Sequence, residues 1–454
     1  METINLVTEI QNDKSEFNDV IINFDANSFD ANHDFLKNRL YFKNCTFEND
    51  VLIEYLNKKD FSIQFHNCVF DGELTISNCD LNRLQLSFLK SIKNITIEEC
   101  NLENIIINSN NQPLTGNIKI ENCVVNKSIL CESLNILKGE FNIDLFNEKI
   151  ENQKNFQILF QRSSFDILNF SHTVFGEYSN FQRMKVINSS NFYNCDFQKS
   201  YFDEVTFGTN SFFCFCKFHS TTSFKNCRNI EKTNIKILNC LFTSMPYFNN
   251  SSFNSLEIEN TNFEKKVSFD LLEVNTIKLY QVTFLQGAFF DDININFIEN
   301  CDRKSIRTIK QEIQKAENRI DFNRFKNYEM ATYYKELNWK KNFVDKSILY
   351  MTKISTDFGN SWSKALGFTL LSALLFFSLF FINENYNNSF DIKNWTQFTS
   401  GYFRFFLVTD FYNPLETDRV YLTNPLSWLI FIFGKIVIAF GIYEMIQSFR
   451  KFKA

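Results

Sequence analysis

The sequence has little of the residues that make tight turns: its 454 residues include only 11 Gly and 4 Pro. A globular protein with many short loops usually needs more of both, so the composition does not fit that class. The N-terminal stretch METINLVTEIQNDKSEF has neither a basic nor an apolar segment, and we therefore expect no secretory signal. A formal net charge of −5 gives no general signature of nucleic-acid binding.

Metal-binding and catalytic motifs are missing as well. No two of the 12 Cys have Cys-x-x-Cys spacing, and the four His (His33, His66, His172 and His219) are scattered. The sequence therefore predicts no metal and no other cofactor. The Cys are interpreted as reduced, small apolar side chains inside a cytosolic domain. Since there is also no P-loop, nucleophile elbow or dinucleotide fingerprint, we expect that the protein is not an enzyme.

Much of the N-terminal region consists of a short repeat. A small residue, a polar residue and a large apolar residue recur together, as at residues 45–47, 195–197 and 216–218. The three-residue phrase returns after 21 to 24 residues. Within SNFYNCDFQKSYFDEVTF the large residue returns every five positions, at Phe192, Phe197, Phe202 and Phe207.

A period of five distinguishes this repeat from the common secondary structures. It excludes an amphipathic helix, whose apolar residues recur at three and four, and simple strand alternation. Four such units per repeat fit a square solenoid whose sides each point one large and one small side chain inward. Phe197, Phe202, Phe207 and Phe218 should therefore be buried. A function of this region would lie on the outward polar positions.

With this pattern, residues 20–295 resemble the pentapeptide-repeat family. The resemblance implies a right-handed quadrilateral β-helix, which we expect at residues 20–298 after an N-terminal cap at 1–19. Two insertions, at 107–117 and 145–157, interrupt the repeat. A looser β-helix is therefore the alternative.

A different pattern covers residues 299–362. Apolar residues spaced by three and four among Lys, Glu and Gln predict amphipathic helices. The segment resembles the connector of bacterial pentapeptide-repeat membrane proteins, in which KISTDFGNSW, here 353–362, precedes a membrane span. It is interpreted as a cap of the solenoid and a link to the membrane. The candidate cations for an anionic ligand, with a solvated helix face as the alternative, are Arg303, Lys304, Arg307 and Lys310.

Two apolar runs near the C-terminus, 365–382 and about 425–446, are long enough to cross a lipid bilayer. A buried core helix is the alternative. Basic residues are concentrated before the first run and after the second, which predicts that both termini and the β-helix are cytosolic. We therefore predict a two-span domain in the bacterial inner membrane at 363–454, with a loop at 383–424.

The loop contains SGYFRFFLVTDFYNPLE and lies between two spans, as in a two-helix pore-loop channel, although the TVGYG sequence of potassium filters is absent. An aromatic re-entrant or interfacial helix that only anchors the domain is the alternative. Lys435 lies near the middle of the second span, where a cation costs about 2.5 to 3.5 kcal/mol unless it meets water or a partner such as Asp410. The candidate pore or gate residues are Arg404, Phe406, Leu407, Asp410, Phe411 and Lys435.

Two functions remain open. Two spans of one chain cannot enclose a conduit, so a channel requires a homo-oligomer, and we favour a tetramer. The arrangement resembles membrane effectors of anti-phage defence, including the Hailong type. This implies that a nucleotide or oligonucleotide, made by a partner signalling enzyme, controls depolarisation of the membrane. The alternative is a membrane-anchored scaffold whose β-helix binds a protein partner.

Overall fold

The computed structural model of the protein describes five stretches of the chain. They are residues 2–23, 38–145, 157–384, 392–416 and 418–450. Two features of the sequence analysis fall largely outside these stretches, namely His33 and the insertion at 145–157.

The chain forms two compact units, Met1–Ser305 and Ile306–Ala454. The first is a parallel β-solenoid of about 12 turns, and the second is helical and includes two long apolar helices. The predicted fold class, a β-solenoid followed by helices, is therefore confirmed. The finer division of the chain into a cap, a solenoid, a connector and a membrane domain stays a prediction.

In the described residues of the first unit a short helix, α1 (Leu6–Gln11), precedes most of the parallel strands, which form three ladders. The smallest ladder comprises β1 (Glu2–Asn5), β3 (Val20–Asn23), β5 (Thr46–Phe47) and β8 (Val69–Phe70). The second comprises β2 (Glu16–Asn18), β4 (Arg39–Lys43), β7 (Asn57–His66), β10 (Asp80–Ser87), β12 (Asn101–Ile107), β15 (Val124–Leu130), β17 (Gln157–Leu159), β19 (Val174–Asn180), β21 (Asp196–Tyr201), β23 (Lys217–Phe218), β24 (Thr222–Ser223), β26 (Leu241–Phe242), β27 (Pro246–Tyr247), β29 (Asn262–Phe263), β30 (Val267–Ser268), β32 (Thr283–Phe284) and β33 (Ala288–Phe289). The third comprises β6 (Val51–Glu54), β9 (Leu74–Ser77), β11 (Asn94–Glu98), β13 (Pro113–Thr115), β14 (Asn117–Glu121), β16 (Asn135–Asp144), β18 (Ser164–Ser171), β20 (Lys185–Tyr193), β22 (Asn210–Cys214), β25 (Arg228–Leu238), β28 (Ser252–Glu259), β31 (Glu273–Tyr280) and β34 (Asn294–Ile295).

Near the end of the solenoid each turn consists of four short paired segments. One turn pairs with the next through residues 252–253, 255–259, 262–263 and 267–268. Each of these residues pairs with the residue 21 positions later, as Ser252 does with residue 273. Four segments per turn are what a five-residue period in a 21-residue repeat predicts.

The core of the solenoid contains stacks of phenylalanine rings. Phe197, Phe218 and Phe242 occupy paired positions on successive turns, with ring centroids 4.8 and 4.3 Å apart. These separations follow the spacing of about 4.7 to 4.9 Å between hydrogen-bonded strands. Phe197, Phe202, Phe207 and Phe218 are all buried, which confirms the prediction for these four residues.

At the corners of the solenoid, residues other than glycine adopt the left-handed backbone conformation. A residue with positive φ precedes the small buried residue on successive turns, as Asn194 (φ 50°) precedes Cys195 and Asn239 (φ 55°) precedes Cys240. Asn adopts this conformation more readily than most residues because its short polar side chain can bond locally. The solenoid therefore turns its corners with few Gly and Pro.

The cysteines belong to the core. All 12 are free and 11 of them are buried. The Cys240 thiol donates to the carbonyl oxygen of Phe213 at 3.2 Å. Burial raises the pKa of the Cys131 and Cys227 thiols, so both stay protonated. These contacts agree with the interpretation of the Cys as small core side chains.

The second unit consists of helices. Its first helix begins at the end of the first unit, just after a single 3-10 turn at Ile298–Asn300. The helices are α2 (Arg303–Lys315), α3 (Arg319–Glu336), α4 (Phe343–Thr356), α5 (Trp362–Glu384), α6 (Ile392–Phe406) and α7 (Pro425–Arg450). In length and apolar composition, α5 and most of α7 are sufficient to cross a membrane.

Replacing Phe202 should show how much one ring contributes to the stability of the solenoid. Phe202→Ala leaves a cavity between stacked rings and should lower the free energy of unfolding by about 3 to 5 kcal/mol. The measurement is guanidinium unfolding of the full-length protein in detergent, followed by the circular dichroism of its strands. Lys199→Ala, which shortens an exposed side chain of β21, should change the free energy of unfolding by less than about 0.5 kcal/mol. Equal effects of the two changes would contradict the core position of Phe202.

Candidate functional site

The residues predicted to form a pore lie in and around a helical hairpin made by α5 and α7. The two helices run antiparallel, and their side chains are in contact at both ends. At one end Trp362 stacks on Phe449 with ring centroids 5.6 Å apart. At the other end the Asn383 amide donates to the Ser427 hydroxyl at 2.7 Å. The two candidate spans therefore lie side by side along their whole length.

Small residues allow the two helices to approach closely. A Cβ atom on Gly441 would lie 2.3 Å from the Thr369 hydroxyl oxygen. A Cβ atom on Gly434 would lie 2.8 Å from Phe376 Cβ and 2.8 Å from Phe405 Cζ. Neither position has room for a larger side chain. Small residues at such contacts are typical of helix pairs in membranes, where close packing drives association.

Helix α6 lies against this hairpin. The buried Phe405 ring lies 5.6 Å from the Phe377 ring of α5 and 5.4 Å from the Phe431 ring of α7, measured between centroids. The Tyr402 hydroxyl donates to the carbonyl oxygen of Leu370, in the first half of α5, at 3.1 Å. The last turns of α6 therefore reach inward along the hairpin and do not remain at its loop end.

The C-terminus of α6 lies at the level of Lys435. The Lys435 ammonium donates to the backbone carbonyl oxygen of Leu407, the first residue after α6. Lys435 follows Pro425, the first residue of α7, by ten positions, which corresponds to about 15 Å along the helix axis. The hydrocarbon core of a bilayer is about 30 Å thick, so α6 ends about half-way along a hairpin that is long enough to cross one.

Lys435 caps the end of α6. Its side chain is buried, at 4% exposure, and its ammonium lies 4.8 and 5.5 Å from the ring centres of Phe431 and Phe405. The Leu407 carbonyl oxygen also accepts from the Asp410 N–H at 3.2 Å. A cation at a helix C-terminus offsets the negative end of the helix dipole, and an ammonium over aromatic rings is further stabilised. Both effects reduce the cost of burying this charge.

Lys435 and Asp410 are connected through the Leu407 carbonyl oxygen and not by the direct pairing that was expected. No ion pair within 4.0 Å joins the two side chains in the part of the chain that the structure describes. The Asp410 carboxylate instead accepts from the Tyr412 N–H at 3.2 Å. The two residues share the Leu407 carbonyl oxygen as an acceptor. Sequence reasoning identified the right loop but missed this acceptor, because a backbone oxygen has no sequence signature.

The other candidate residues surround the cap. Arg404 donates to the carbonyl oxygen of Glu416 in the returning loop. Phe406 is half-buried and packs against the hairpin core, whereas the Leu407 and Phe411 side chains are exposed. The ring contacts of Lys435 with Phe405 and Phe431 were not predicted. A signal existed for Phe431, since it precedes Lys435 by four residues and lies on the same helix face.

After α6 the chain returns to the start of α7. The described residues of 407–424 have no helix or strand. Side chains of the flanking helices hold this loop: the Gln397 amide donates to the Leu415 carbonyl oxygen at 3.2 Å, and the Trp428 indole donates to that of Leu422 at 2.9 Å. The segment between α5 and α7 therefore enters the hairpin and leaves it at the same end, as a re-entrant segment.

Two of the four predicted ligand-binding cations already hold a carboxylate. Arg307 Nε donates to Glu329 at 2.8 Å, and the Lys310 ammonium donates to its other oxygen. Burial raises the pKa of the Glu329 carboxyl, but the hydrogen bonds from Lys310 and Arg307 outweigh it and hold the pKa below its usual value. These bonds join α2 to α3. Arg303 and Lys304 belong to the first unit and each has a polar or ring interaction. Ligand binding by the four residues stays a prediction.

A cavity of about 280 Å³ lies where α3, the end of α4 and α7 meet. Asn327, Thr352 and Glu444 contribute to its lining. The Thr356 hydroxyl donates to the buried Glu444 carboxylate at 3.0 Å. This bond ties the end of α4 to α7, so the helices before the hairpin are connected directly to it.

Comparisons with protein-family models, with curated proteins and with solved structures give no match for this chain. The resemblances to pentapeptide-repeat proteins and to defence effectors therefore rest on sequence patterns alone. The β-solenoid, the apolar hairpin and the re-entrant segment are properties of this chain itself.

The close contact between α5 and α7 can be tested at Gly441. Gly441→Leu should push the helices apart, because the new side chain overlaps Thr369, and should destabilise the hairpin by about 1 to 3 kcal/mol. Thermal unfolding in detergent, followed by tryptophan fluorescence, measures the change. Gly367→Leu is the matched control on α5, where a Cβ atom meets nothing within 4 Å. A similar loss of stability in both variants would contradict the close approach at Gly441.

The carboxylate between α2 and α3 predicts a pH dependence. Because the folded-state pKa of Glu329 is lowered, its stabilising effect is complete above the usual value of 4.5 and is lost as the pH falls through the folded-state pKa. Glu329→Gln should lower stability at pH 7 by about 1 to 3 kcal/mol, with some screening at the half-exposed Arg307. The difference from the parent should shrink at acid pH. The control is Glu317→Gln, at an exposed carboxylate, which should change stability at pH 7 by less than about 0.5 kcal/mol.

Proposed function

We propose that the protein forms an ion channel or pore in a membrane, built from several copies of the chain and controlled by its β-solenoid. The observation that carries the proposal is the re-entrant segment, in which α6 ends near the middle of the hairpin and the described residues of 407–424 return without helix or strand. In a bilayer such backbone is tolerated only where protein or water covers it. A single chain leaves it partly open, since Leu407 and Phe411 are 55% and 52% exposed.

Assembly of several copies would provide the missing cover. Two helices cannot enclose a conduit, whereas a ring of copies would bring the ends of α6 together around one axis. A homotetramer is the assembly that we favour. Apolar side chains on the outside of both helices, including Leu371, Phe433 and Ile436, are exposed and would contact lipid or neighbouring copies.

The loop after α6 would form the narrow part of the conduit. Leu407 and Phe411 are apolar, and an apolar constriction closes by excluding water. Lys435 would position this constriction through the Leu407 carbonyl oxygen, and its charge would oppose the passage of cations. No ladder of backbone carbonyls like that of potassium filters is predicted from this sequence.

The wider role that we propose is depolarisation of the bacterial inner membrane in defence against phage. The support is the resemblance to membrane effectors controlled by a nucleotide or oligonucleotide from a partner enzyme. The candidate ligand-binding residues are Arg303, Lys304, Arg307 and Lys310, of which the last two are paired with Glu329. The bond from Thr356 to Glu444 gives the helices before the hairpin a direct connection to α7.

A membrane-anchored scaffold is the second candidate, and one observation favours it. On the outside of the solenoid the rings of His172, Tyr193 and Phe215 follow one another at 5.7 Å between centroids. Tyr193 and Phe215 are exposed. Exposed aromatic groups of this kind are typical of protein-binding surfaces.

Conductance separates the two functions. The purified full-length protein is reconstituted in a planar bilayer, and its assembly state is checked by light scattering in the same detergent. The channel proposal expects discrete currents from an oligomer. An assembled, folded protein that carries no current with or without added nucleotides, yet binds a protein through the aromatic stack, would establish the scaffold in place of the channel.

Lys435 should control the current. Lys435→Met removes a charge-assisted hydrogen bond worth about 1.5 to 3 kcal/mol from the end of α6, which corresponds to a change of about 10- to 150-fold in the population of the held loop. Open probability should change by a comparable factor. Lys435→Arg keeps a cationic donor and should retain more of the parent behaviour. Parent-like gating and ion preference in Lys435→Met would remove Lys435 from the mechanism.

A further inference from the structure

Helix α4 exposes apolar side chains along one side. At 3.6 residues per turn, Phe343, Val344, Ile348, Met351 and Ile354 fall on the same half of the helix, and these five residues are called the apolar face of α4. Phe343, Val344 and Ile348 are 65%, 68% and 57% exposed, and Ile354 is 46% exposed. A surface helix of a soluble protein turns such a face toward the core. In α4 the apolar face instead points away from the rest of the second unit.

The polar side of α4 is the side that packs on the protein. The ammonium groups of Lys346 and Lys353 lie 4.9 and 5.1 Å from the centre of the Tyr334 ring of α3. The Thr356 hydroxyl donates to the Glu444 carboxylate of α7. Rotation of the helix to bury its apolar face would break all these contacts. The exposed apolar face is therefore a fixed feature of this unit.

We propose that α4 lies on the surface of the membrane, with its apolar face at the boundary between lipid headgroups and acyl chains, and that anionic headgroups bind beside it. The proposal rests on the membrane insertion of α5 proposed above. Only residues 357–361 separate α4 from α5, so α4 stays close to the end of that span. Amphipathic helices with aliphatic and aromatic residues on one face and lysines on the other bind membranes in this way.

Charged and aromatic residues next to α4 fit a lipid surface. Lys340 and Lys341 are exposed just before the helix, and no carboxylate lies within 4.0 Å of either ammonium among the described residues. Lysines at such positions attract anionic lipids. Trp339 and Trp362, one on each side of α4 in the sequence, are exposed, and Trp is enriched at membrane interfaces. The positive charge of Lys340 and Lys341 favours anionic lipid over a second copy of the chain as the occupant of this face.

Nitroxide spin labels on the full-length protein in liposomes test the proposal. The label is attached at Ile348→Cys on the apolar face, at the matched control Asp345→Cys on the polar side of the same helix, or at Leu371→Cys on the outside of α5. The half-buried Cys214 is replaced by Ser, and the other native Cys are buried. Collisions with oxygen report lipid, and collisions with a water-soluble nickel chelate report water. The oxygen-to-nickel ratio should be several-fold higher at Ile348→Cys than at Asp345→Cys.

The outcomes separate this inference from the membrane proposal itself. Water exposure at Ile348→Cys with lipid exposure at Leu371→Cys overturns the surface position of α4 and leaves the span in place. A label at Ile348→Cys that neither reagent reaches would show a second copy on this face, which also overturns it. Water exposure at both positions overturns membrane insertion of α5.

The headgroup part of the proposal has its own measurement. In liposomes with phosphatidylglycerol the Ile348→Cys label should lie deeper than in liposomes of phosphatidylcholine alone. The combined change Lys340→Gln and Lys341→Gln should abolish this difference while the label stays in the interface. A depth that does not depend on lipid charge in the parent overturns the binding of anionic headgroups.

Discussion

The constraint on which this structure depends is that backbone N–H and C=O groups need hydrogen-bond partners. In the strand ladders of the solenoid the hydrogen-bond partners lie one turn away, as where Phe197 pairs with Phe218. Because paired strands lie about 4.8 Å apart, side chains at paired positions stack at the same distance. Inward positions must therefore repeat in size and shape from turn to turn. The recurrence of Cys and Phe in the sequence follows from this pairing of the backbone.

The same constraint explains why Lys435 contacts the Leu407 carbonyl oxygen. The helices of the second unit satisfy their own backbone groups except at their ends, and α6 ends at the level of the middle of α7. A carbonyl oxygen without a partner and an isolated ammonium are each costly when buried among apolar side chains. When Lys435 donates to Leu407, each group lowers the cost of the other. A residue that looks unfavourable in the sequence thus stabilises the irregular segment that follows α6.

The helices before the hairpin use their polar side chains to hold one another. Arg307 and Lys310 share Glu329, and Lys346 contacts Tyr334. The Thr356 hydroxyl donates to the Glu444 carboxylate of α7. Charges that suggest a ligand site in the sequence are thereby engaged inside the unit. As a consequence, α4 has its apolar face outside, where a membrane surface would cover it.

The sequence by itself determined the β-solenoid, its buried Phe and the two apolar helices, because these depend on local period and on the length of apolar runs. It also marked Lys435, because a charge inside an apolar run is unfavourable wherever the run folds. Only the tertiary structure decided that Lys435 meets the Leu407 carbonyl oxygen, that Glu329 holds Arg307 and Lys310, and that α4 exposes its apolar face. The acceptor of Lys435 is a backbone atom, which every residue carries and which has no sequence signature. The partner of Arg307 and Lys310 and the exposed side of α4 depend on how helices distant in sequence pack together, which a local pattern does not determine.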